Sequence, residues 1–140
     1  MEEIYVSESA SDTTRLGEKF VKRLHLDQGV TLARVIALYG ELGSGKTTFV
    51  QGLAKGLGIK QRIISPTFVV IRPYDNFFHI DLYRMEKVEG LGLEEIIEDP
   101  ANIVVIEWAE RLGDLLPKKR WEIKFEHIDE QKRRITWNSN

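Results

Sequence analysis

The residues with the clearest chemical meaning form a glycine-rich run in the first third of the chain. Gly40 to Thr47 reads GELGSGKT and fits the pattern G-x-x-x-x-G-K-[ST]. Glycines let the backbone wrap so that successive N–H groups point at phosphate oxygens. Lys46 would bring positive charge to the β and γ phosphates, and Thr47 a hydroxyl to Mg²⁺. The run therefore predicts a site for a nucleoside triphosphate with Mg²⁺.

The elements on either side of this run are the ones that the pattern requires. Val35 to Tyr39 is an apolar stretch typical of a buried strand, and Thr48 to Leu57 places Val50, Leu53 and Leu57 on one helical face. A helix that begins here would aim its N-terminus at the bound anion. The residues expected to contact the nucleotide from this loop are Glu41, Leu42, Gly43, Ser44, Gly45, Lys46, Thr47 and Thr48.

Two acidic residues follow other apolar runs. Glu107 comes after residues 103–106, four aliphatic residues typical of a strand buried on both faces, and ligands bind at the C-terminal edge of such sheets. Asp81 comes after residues 77–80. Because Mg²⁺ prefers oxygen ligands, we assign Glu107 to its shell with Thr47, and Asp81 to the γ phosphate side, orienting water or the hydration shell of the metal. Each acid also fits an ordinary carboxylate at a strand end.

Ser65-Pro66-Thr67-Phe68 has two interpretations. Pro66 restricts the backbone before it, and Thr67 is small and polar, like the switch threonines that sense a γ phosphate. A Ser/Thr turn that begins a strand fits equally well. His79 lies within an aromatic run, which favours a hydrogen-bonded structural histidine over a catalyst.

Charge restricts the partners. Twenty Lys and Arg stand against 22 Asp and Glu, and the net charge of −2 is no signature of polyanion binding, so we expect no direct contact with tRNA or other nucleic acid. The segment from Asp81 to Asp114 carries ten acids and three bases. A solvated helical face explains this composition, and so does a docking surface for a basic partner.

Length and composition restrict the class of protein. With 140 residues the chain can bury one core but has no room for a second substrate domain, so elaborate specificity must come from partners. The absence of cysteine excludes disulfides and thiolate metal sites. No apolar run approaches 18 residues and the start lacks a secretory profile, so we expect a soluble cytoplasmic protein without membrane contact.

The remaining pattern predicts helices and hairpins around the loop. Ser11 or Asp12 would cap a first helix that ends near residues 27–29. The runs 68–71 and 77–80 are linked too closely for a parallel crossover, which predicts an antiparallel hairpin. These features place the chain among α/β proteins.

The second half of the chain completes this fold. Residues 86–98 look helical, but two glycines weaken the helix by about 1 kcal/mol each, so we expect it to be broken or mobile. The runs 121–125 and 134–137 predict a final hairpin. Together the elements predict a single-domain P-loop NTPase over residues 1–140, with a mixed parallel and antiparallel sheet flanked by helices.

Four segments together resemble the TsaE family of small bacterial phosphate-loop ATPases, which are required for making threonylcarbamoyladenosine in tRNA. They are GELGSGKTT at 40–48, SPTF at 65–68, HIDLYR at 79–84 and IEW at 106–108. Thr13-x-x-Leu16-Gly17 and Arg134-Ile135 also look like family positions. The resemblance implies an ATPase that binds ATP and Mg²⁺ and works with two larger partner proteins. These form a threonylcarbamoyl-transfer assembly, and hydrolysis supports its turnover.

The resemblance also gives roles to individual residues. Those on the phosphate, metal and catalytic side are Lys46, Thr47, Thr67, Asp81 and Glu107, and those near the nucleotide are Trp108, Thr13 and Arg134. The chain departs mildly from the family, because Glu41 and Ser44 replace the more usual Asp and Ala of the loop. Ala109 likewise replaces a common Pro.

Two other classes of protein share the phosphate loop. A small-molecule kinase needs a lid with several arginines and an acceptor pocket, for which this length leaves little room. A guanine-nucleotide switch would carry N-K-x-D and a D-x-x-G at a strand end, and the chain has neither. The ATPase is therefore favoured, with a small kinase or a nucleotide-dependent switch module as the alternatives.

Overall fold

The structure is a computed structural model, which describes residues 2–26, 30–41, 43–63, 70–83, 85, 87 and 91–139. In chain order these form β1 (Glu2–Ser7), α1 (Ala10–Leu26), β2 (Arg34–Tyr39), α2 (Lys46–Gly56), β3 (Ile71–Tyr74), β4 (Phe77–Asp81), α3 (Leu93–Glu98), β5 (Ile103–Glu107), a 3₁₀ segment (Ala109–Leu115), β6 (Trp121–His127) and β7 (Arg133–Ser139). No helix in this part of the chain is both long and apolar enough to cross a membrane.

The strands form one sheet in the order β1-β7-β6-β2-β5-β4-β3. Its centre is parallel, since β2 pairs in parallel with both β5 and β6, and β5 pairs in parallel with β4. The β3/β4 and β6/β7 hairpins and the β1/β7 pair are antiparallel. The mixed sheet predicted from the sequence is confirmed, and its parallel centre brings several strand ends to one edge.

The two faces of the sheet are covered differently. α1 and α2 pack on one face over an aromatic core that includes Phe20, Phe49 and Trp137. The backbones of the two helices touch, because a Cβ built on Gly52 would lie 2.0 Å from the carbonyl oxygen of Thr14. The other face is covered by α3 and the 3₁₀ segment, which bury a second cluster of aliphatic residues.

α1 and α2 begin earlier than the sequence predicted. α1 begins at Ala10, where the Asp12 N–H donates to Ser9 Oγ at 3.1 Å, so Ser9 caps the helix and the expected caps Ser11 and Asp12 lie inside it. Asp12 still helps to cap this end, because its Oδ2 accepts from the Glu8 N–H at 3.0 Å. α2 begins at Lys46, two residues before the predicted start.

The hairpin prediction is confirmed, but its turn is shorter than expected. β3 starts at Ile71 and includes Pro73, which the edge position tolerates because no partner strand requires its missing N–H. The turn is only Asp75-Asn76, with Asp75 at φ 57°. Residues 68 and 69 lie outside the described residues.

In the described part of the chain, the helix expected over residues 86–98 is observed only as α3, from Leu93 to Glu98. α3 begins only after Gly92, whose left-handed φ of 76° ends any helix that approaches from the N-terminal side. Residues 86 and 88–90 lie outside the described residues. Two elements, β1 and the 3₁₀ segment, were not predicted at all.

Candidate phosphate and metal site

The glycine-rich run forms the turn from β2 into α2. Gly40, Gly43 and Gly45 have φ values of 149°, 78° and 102°, which only glycine adopts without strain. A Cβ built on Gly43 would meet no atom within 4 Å, so the backbone there borders open space. Leu42, which the sequence also assigned to the nucleotide, lies outside the described residues.

Ser44 is the most enclosed side chain of the loop. It is 1% exposed, and its Oγ has no hydrogen-bond partner among the described residues. A Cβ on Gly40 would lie 2.8 Å from this Oγ, so Gly40 and Ser44 must pack directly on each other. Buried hydroxyls are nearly always hydrogen-bonded. A hydroxyl without a described partner in such a loop is therefore available to donate to a bound anion.

Lys46 opens α2 and is held inside the site. Its Nζ donates to the carbonyl oxygen of Gly40 at 2.5 Å and lies 4.2 Å from the centroid of the Trp108 ring. Burial lowers the pKa of Lys46, whereas the negative charges of Glu107, Asp81 and Glu110 act in the opposite direction. The nearby negative charges therefore do not fully offset the cost of burying the ammonium before any ligand binds.

The two predicted acids lie side by side. β4 and β5 run in parallel, and Asp81 and Glu107 are register partners at their C-terminal ends. Burial raises the pKa of Asp81, with repulsion from Glu107 adding to it, although the Tyr83 N–H donates to Asp81 Oδ1 at 3.0 Å. Glu107 is 4% exposed and ends the strand next to β2, which leads into the loop.

His79 was expected to be structural, and its partner gives it a more specific place. The ring is fully buried, and its Nε2 lies 2.5 Å from Glu107 Oε2. A carboxylate can only accept, so a His79 tautomer with the proton on Nε2 can donate to it in this hydrogen bond. Nδ1 has no partner among the described residues. The histidine therefore holds the Glu107 carboxylate in one orientation.

Trp108 links these groups. It follows Glu107 directly in the left-handed conformation, at φ 60°, and its ring packs against that of Tyr83 at a centroid distance of 4.9 Å. The tight turn brings the indole over the Lys46 ammonium. Trp108 therefore lies beside Lys46 of the loop, and its expected position near a nucleotide stays a prediction.

The more distant candidates have different surroundings. Thr13 is buried behind it: its Oγ1 is 2.7 Å from Ser7 Oγ, and a Cβ on Gly45 would lie 3.7 Å from its Cγ2. Arg134 is exposed, and its Nη1 lies 3.8 Å from Glu126 Oε2. The remaining loop residues lie at the surface or partly buried: Glu41 is exposed, and Thr47 and Thr48 are partly buried in the first turn of α2.

Sequence reasoning missed Arg133. Its Nη2 donates to the carbonyl oxygen of Gly43 at 3.3 Å, so this arginine, one position before the predicted Arg134, is the one that reaches the loop. Successive side chains of a strand point to opposite faces, so only one of the two can face the loop. The run Arg133-Arg134 carries no signal that says which.

The donors present fit Mg²⁺ better than a metal held by protein alone. Among the described residues no three His, Cys, Asp or Glu side chains come together as a metal cluster. Mg²⁺ usually takes one or two protein oxygens and completes its shell with water and phosphate. The Thr47 hydroxyl and the Glu107 carboxylate are of that kind. Thr67, the proposed switch residue, lies outside the described residues.

A glycine loop between a central parallel strand and a helix, with acids at the ends of the neighbouring strands, defines the P-loop NTPase fold. The model of one family in this class, threonylcarbamoyl adenosine biosynthesis protein TsaE, matches residues 7–135. The chain belongs to the TsaE family.

Curated relatives and a solved structure agree with this assignment. The tRNA threonylcarbamoyladenosine biosynthesis protein TsaE of Treponema pallidum is 39% identical over 137 residues, which cover 94% of this chain and 96% of that protein. The protein of the same name from Bacillus subtilis is 39% identical over 110 residues, covering 75% and 69%. The crystal structure of Bacillus subtilis YdiB matches with a TM-score of 0.81 and 27% identity, covering 99% of this chain and 86% of that one.

Proposed function

We propose that this chain is the Mg²⁺-dependent ATPase of tRNA threonylcarbamoyladenosine biosynthesis, and that it hydrolyses ATP to support turnover of a partner threonylcarbamoyl-transfer complex. Membership of the TsaE family supports the pathway. The observation that best supports ATP hydrolysis is that Lys46, Asp81 and Glu107 lie close together at one edge of the sheet, beside an open phosphate loop.

The loop would bind the phosphates of ATP through its backbone N–H groups and the N-terminus of α2. Lys46 would exchange the Gly40 carbonyl for phosphate oxygens, an exchange favoured by its incomplete compensation in the free protein. The Ser44 hydroxyl, which has no partner among the described residues, can donate to the same anion. Thr13, packed behind Gly45, would hold the loop in shape from the other side.

Glu107 and Asp81 would have different roles, one in binding Mg²⁺ and the other in orienting water. Thr47 and Glu107 would hold Mg²⁺, which supplies positive charge to the phosphate oxygens when bound. His79 keeps the Glu107 carboxylate in one orientation through its Nε2–H. Asp81, next to Glu107 and only partly buried, would accept a hydrogen bond from the attacking water.

The isolated chain should hydrolyse ATP slowly. Arg133 contacts the loop, but its guanidinium also donates to the carbonyl oxygens of Asp129, Glu130 and Lys132, so it is held within its own hairpin. An arginine supplied in trans can contribute about 10³–10⁵ in rate. We therefore place activation with the two partner proteins of the transfer assembly. We also assign tRNA contact to them, because this chain carries a net charge of −2.

Calorimetry with ATP and Mg²⁺ tests the proposal. Lys46→Met keeps the length and packing of the buried stem but removes its charge. The loss of two charge-assisted hydrogen bonds, at about 1.5–3 kcal/mol each, should weaken ATP binding by roughly 100-fold or more. Lys60→Met, at an exposed lysine after α2, is the matched control and should bind ATP as the wild type does.

An unchanged ATP affinity in Lys46→Met would contradict the proposal. Tighter binding of GTP than of ATP would instead indicate the nucleotide-dependent switch. Transfer of the γ phosphate to a small-molecule acceptor would indicate the kinase.

A further inference from the structure

An apolar groove lies between α3 and the 3₁₀ segment, away from the phosphate loop. Its volume is about 390 Å³. Leu93 and Ile97 of α3 line one side, Leu112 and Leu115 of the 3₁₀ segment line the other, and Leu32 also lines the groove. Leu93, Ile97 and Leu112 also belong to the buried cluster on this face of the sheet, so the groove opens directly onto the core.

Two large apolar side chains in this groove remain open to solvent. Leu115 is 44% exposed and Leu32 is 40% exposed. Single exposed leucines are common on protein surfaces, but here two of them flank a concave apolar surface with walls made by different elements. Such a shape fits one or two inserted apolar side chains.

The rim of the groove is acidic on both sides. Glu94 and Glu98 stand one turn apart on the exposed face of α3, and Asp114 stands on the 3₁₀ segment. Between Leu91 and Pro117 the chain carries seven acids and a single base. That base, Arg111, donates its Nη1 to the carbonyl oxygen of Met85. Of the described residues that line the groove, one, Lys118, is basic.

We propose that this groove docks a basic amphipathic segment of a partner protein. The proposal rests on the proposed function, which requires protein partners. Apolar side chains of the segment would fill the groove, and lysines or arginines on either side would meet Glu94, Glu98 and Asp114. The acidic rim repels RNA phosphates. Two copies of the chain that met groove to groove would bring like charges together.

The groove is connected to the phosphate site through the chain itself. The 3₁₀ segment that forms one wall begins directly after Trp108, whose ring covers the Lys46 ammonium. Ala109 and Leu112 of this segment pack in one cluster with Leu82, the neighbour of Asp81. A segment bound in the groove would therefore fix the element that leads out of Glu107 and Trp108. This gives a partner a route to the catalytic edge.

Amide shifts in an NMR titration of the ¹⁵N-labelled full chain test the docking. The probe is a synthetic helical peptide of leucine and lysine, about four turns long, with all leucines on one face. We expect shifts in residues 93–98 and 112–118, and weaker binding as salt is added. A peptide with glutamate in place of every lysine should not bind.

Two groove variants carry the test, and each has a matched control. Leu115→Gln removes an exposed apolar contact, and the double variant Glu94→Lys with Glu98→Lys reverses the rim. Each should weaken peptide binding by roughly tenfold or more. The controls are Ile4→Gln, at a side chain that is 59% exposed on β1, and Glu130→Lys in the turn between β6 and β7. Both should bind the peptide as the wild type does.

Equal weakening in the controls, or equal binding of the glutamate peptide, would overturn the proposal. So would sedimentation showing a dimer that Leu115→Gln dissociates, since the occupant would then be a second copy. The titration is repeated with Lys46→Met in the absence of nucleotide, where we expect unchanged peptide binding. If the wild type bound the peptide but did not bind ATP, the proposed ATPase function would fail and the docking proposal would stand.

Discussion

The described residues surround Glu3, at the edge of the sheet, with more hydrogen-bond donors than they offer to Asp81 and Glu107 at its centre. Glu3 Oε2 accepts from the Tyr5 hydroxyl at 2.6 Å and from Trp137 Nε1–H at 2.8 Å, and Oε1 pairs with Arg23. These donors, that of Tyr5 first, lower the pKa of Glu3 to about 2. This acid ties β1 to β7 and to α1.

The central acids have fewer donors. Asp81 receives one backbone N–H and has a raised pKa, and the nearby Lys46 has a lowered one, in both cases chiefly because of burial. Both shifts act against the charged forms that a phosphate and metal site needs. The comparison shows that the edge acid is satisfied by the fold itself. The central charges are less well compensated by the described residues, and the proposed binding of Mg²⁺ and ATP would supply the missing partners.

The largest effect expected from breaking this comparison is on hydrolysis. Glu107→Gln keeps a side chain of the same size that His79 can still hydrogen-bond, but it removes the negative charge on the metal side. Hydrolysis with Mg²⁺ should fall by roughly 100-fold or more, while ATP still binds to the backbone of the loop. Single-turnover hydrolysis and calorimetry measure the two separately.

Glu95→Gln, at an exposed acid on α3, is the matched control and should leave the rate nearly unchanged. Normal hydrolysis by Glu107→Gln would transfer the metal role to Asp81.

Removing the edge acid should alter stability and its pH dependence. Because the pKa of Glu3 is lowered from 4.5 to about 2 in the folded chain, its stabilising contribution is complete above pH 4.5 and is lost as the pH falls towards 2. Glu3→Gln should unfold at lower urea than the wild type at pH 7 and approach it at low pH. The exposed neighbour variant Glu2→Gln should show no such convergence. Parallel stability curves for Glu3→Gln and the wild type would contradict this account.

The central pair predicts a smaller change of opposite sign. A raised pKa means that the folded chain binds the Asp81 proton more tightly than the unfolded chain does, so stability falls as pH rises through that range. Asp81→Asn, whose amide oxygen can still accept from the Tyr83 N–H, should therefore raise the melting temperature of the nucleotide-free protein at pH 7. The gain should vanish near pH 3. A lower melting temperature at pH 7 would show that Asp81 stabilises the fold.

The same contrast explains what the sequence could predict. The phosphate loop and Glu107 are visible because their residue types recur at fixed spacing after an apolar strand. β1 could not be predicted from the sequence because its apolar and polar side chains face the opposite way from the usual pattern. Ile4 and Val6 are 59% and 55% exposed, whereas the more polar Glu3, Tyr5 and Ser7 face inwards. Its pairing with β7 joins residues more than a hundred positions apart, for which no local pattern exists.

Side-chain pairing within the site was equally beyond sequence reasoning. The contact of His79 with Glu107 depends on the parallel register of β4 and β5, which aligns His79 with Val105 and Asp81 with Glu107. That register is set by packing across the whole sheet. The sequence could therefore name the acids but not the histidine that orients one of them.

The smallest expected effect is a fluorescence change at Trp108, where Lys46 Nζ lies 4.2 Å from the ring centroid. If Lys46 moves to the β and γ phosphates, this cation–π contact is lost. ADP lacks the γ phosphate and would draw Lys46 away less completely, so emission should differ between ADP and a non-hydrolysable ATP analogue. Trp137, hydrogen-bonded to Glu3, and Trp121, edge-on to Phe20, should give a constant background. Trp108→Phe should abolish the difference. A nucleotide-dependent change that persists undiminished in Trp108→Phe would place the signal elsewhere, and would leave Trp108 as an aromatic that packs on Tyr83 without sensing the nucleotide.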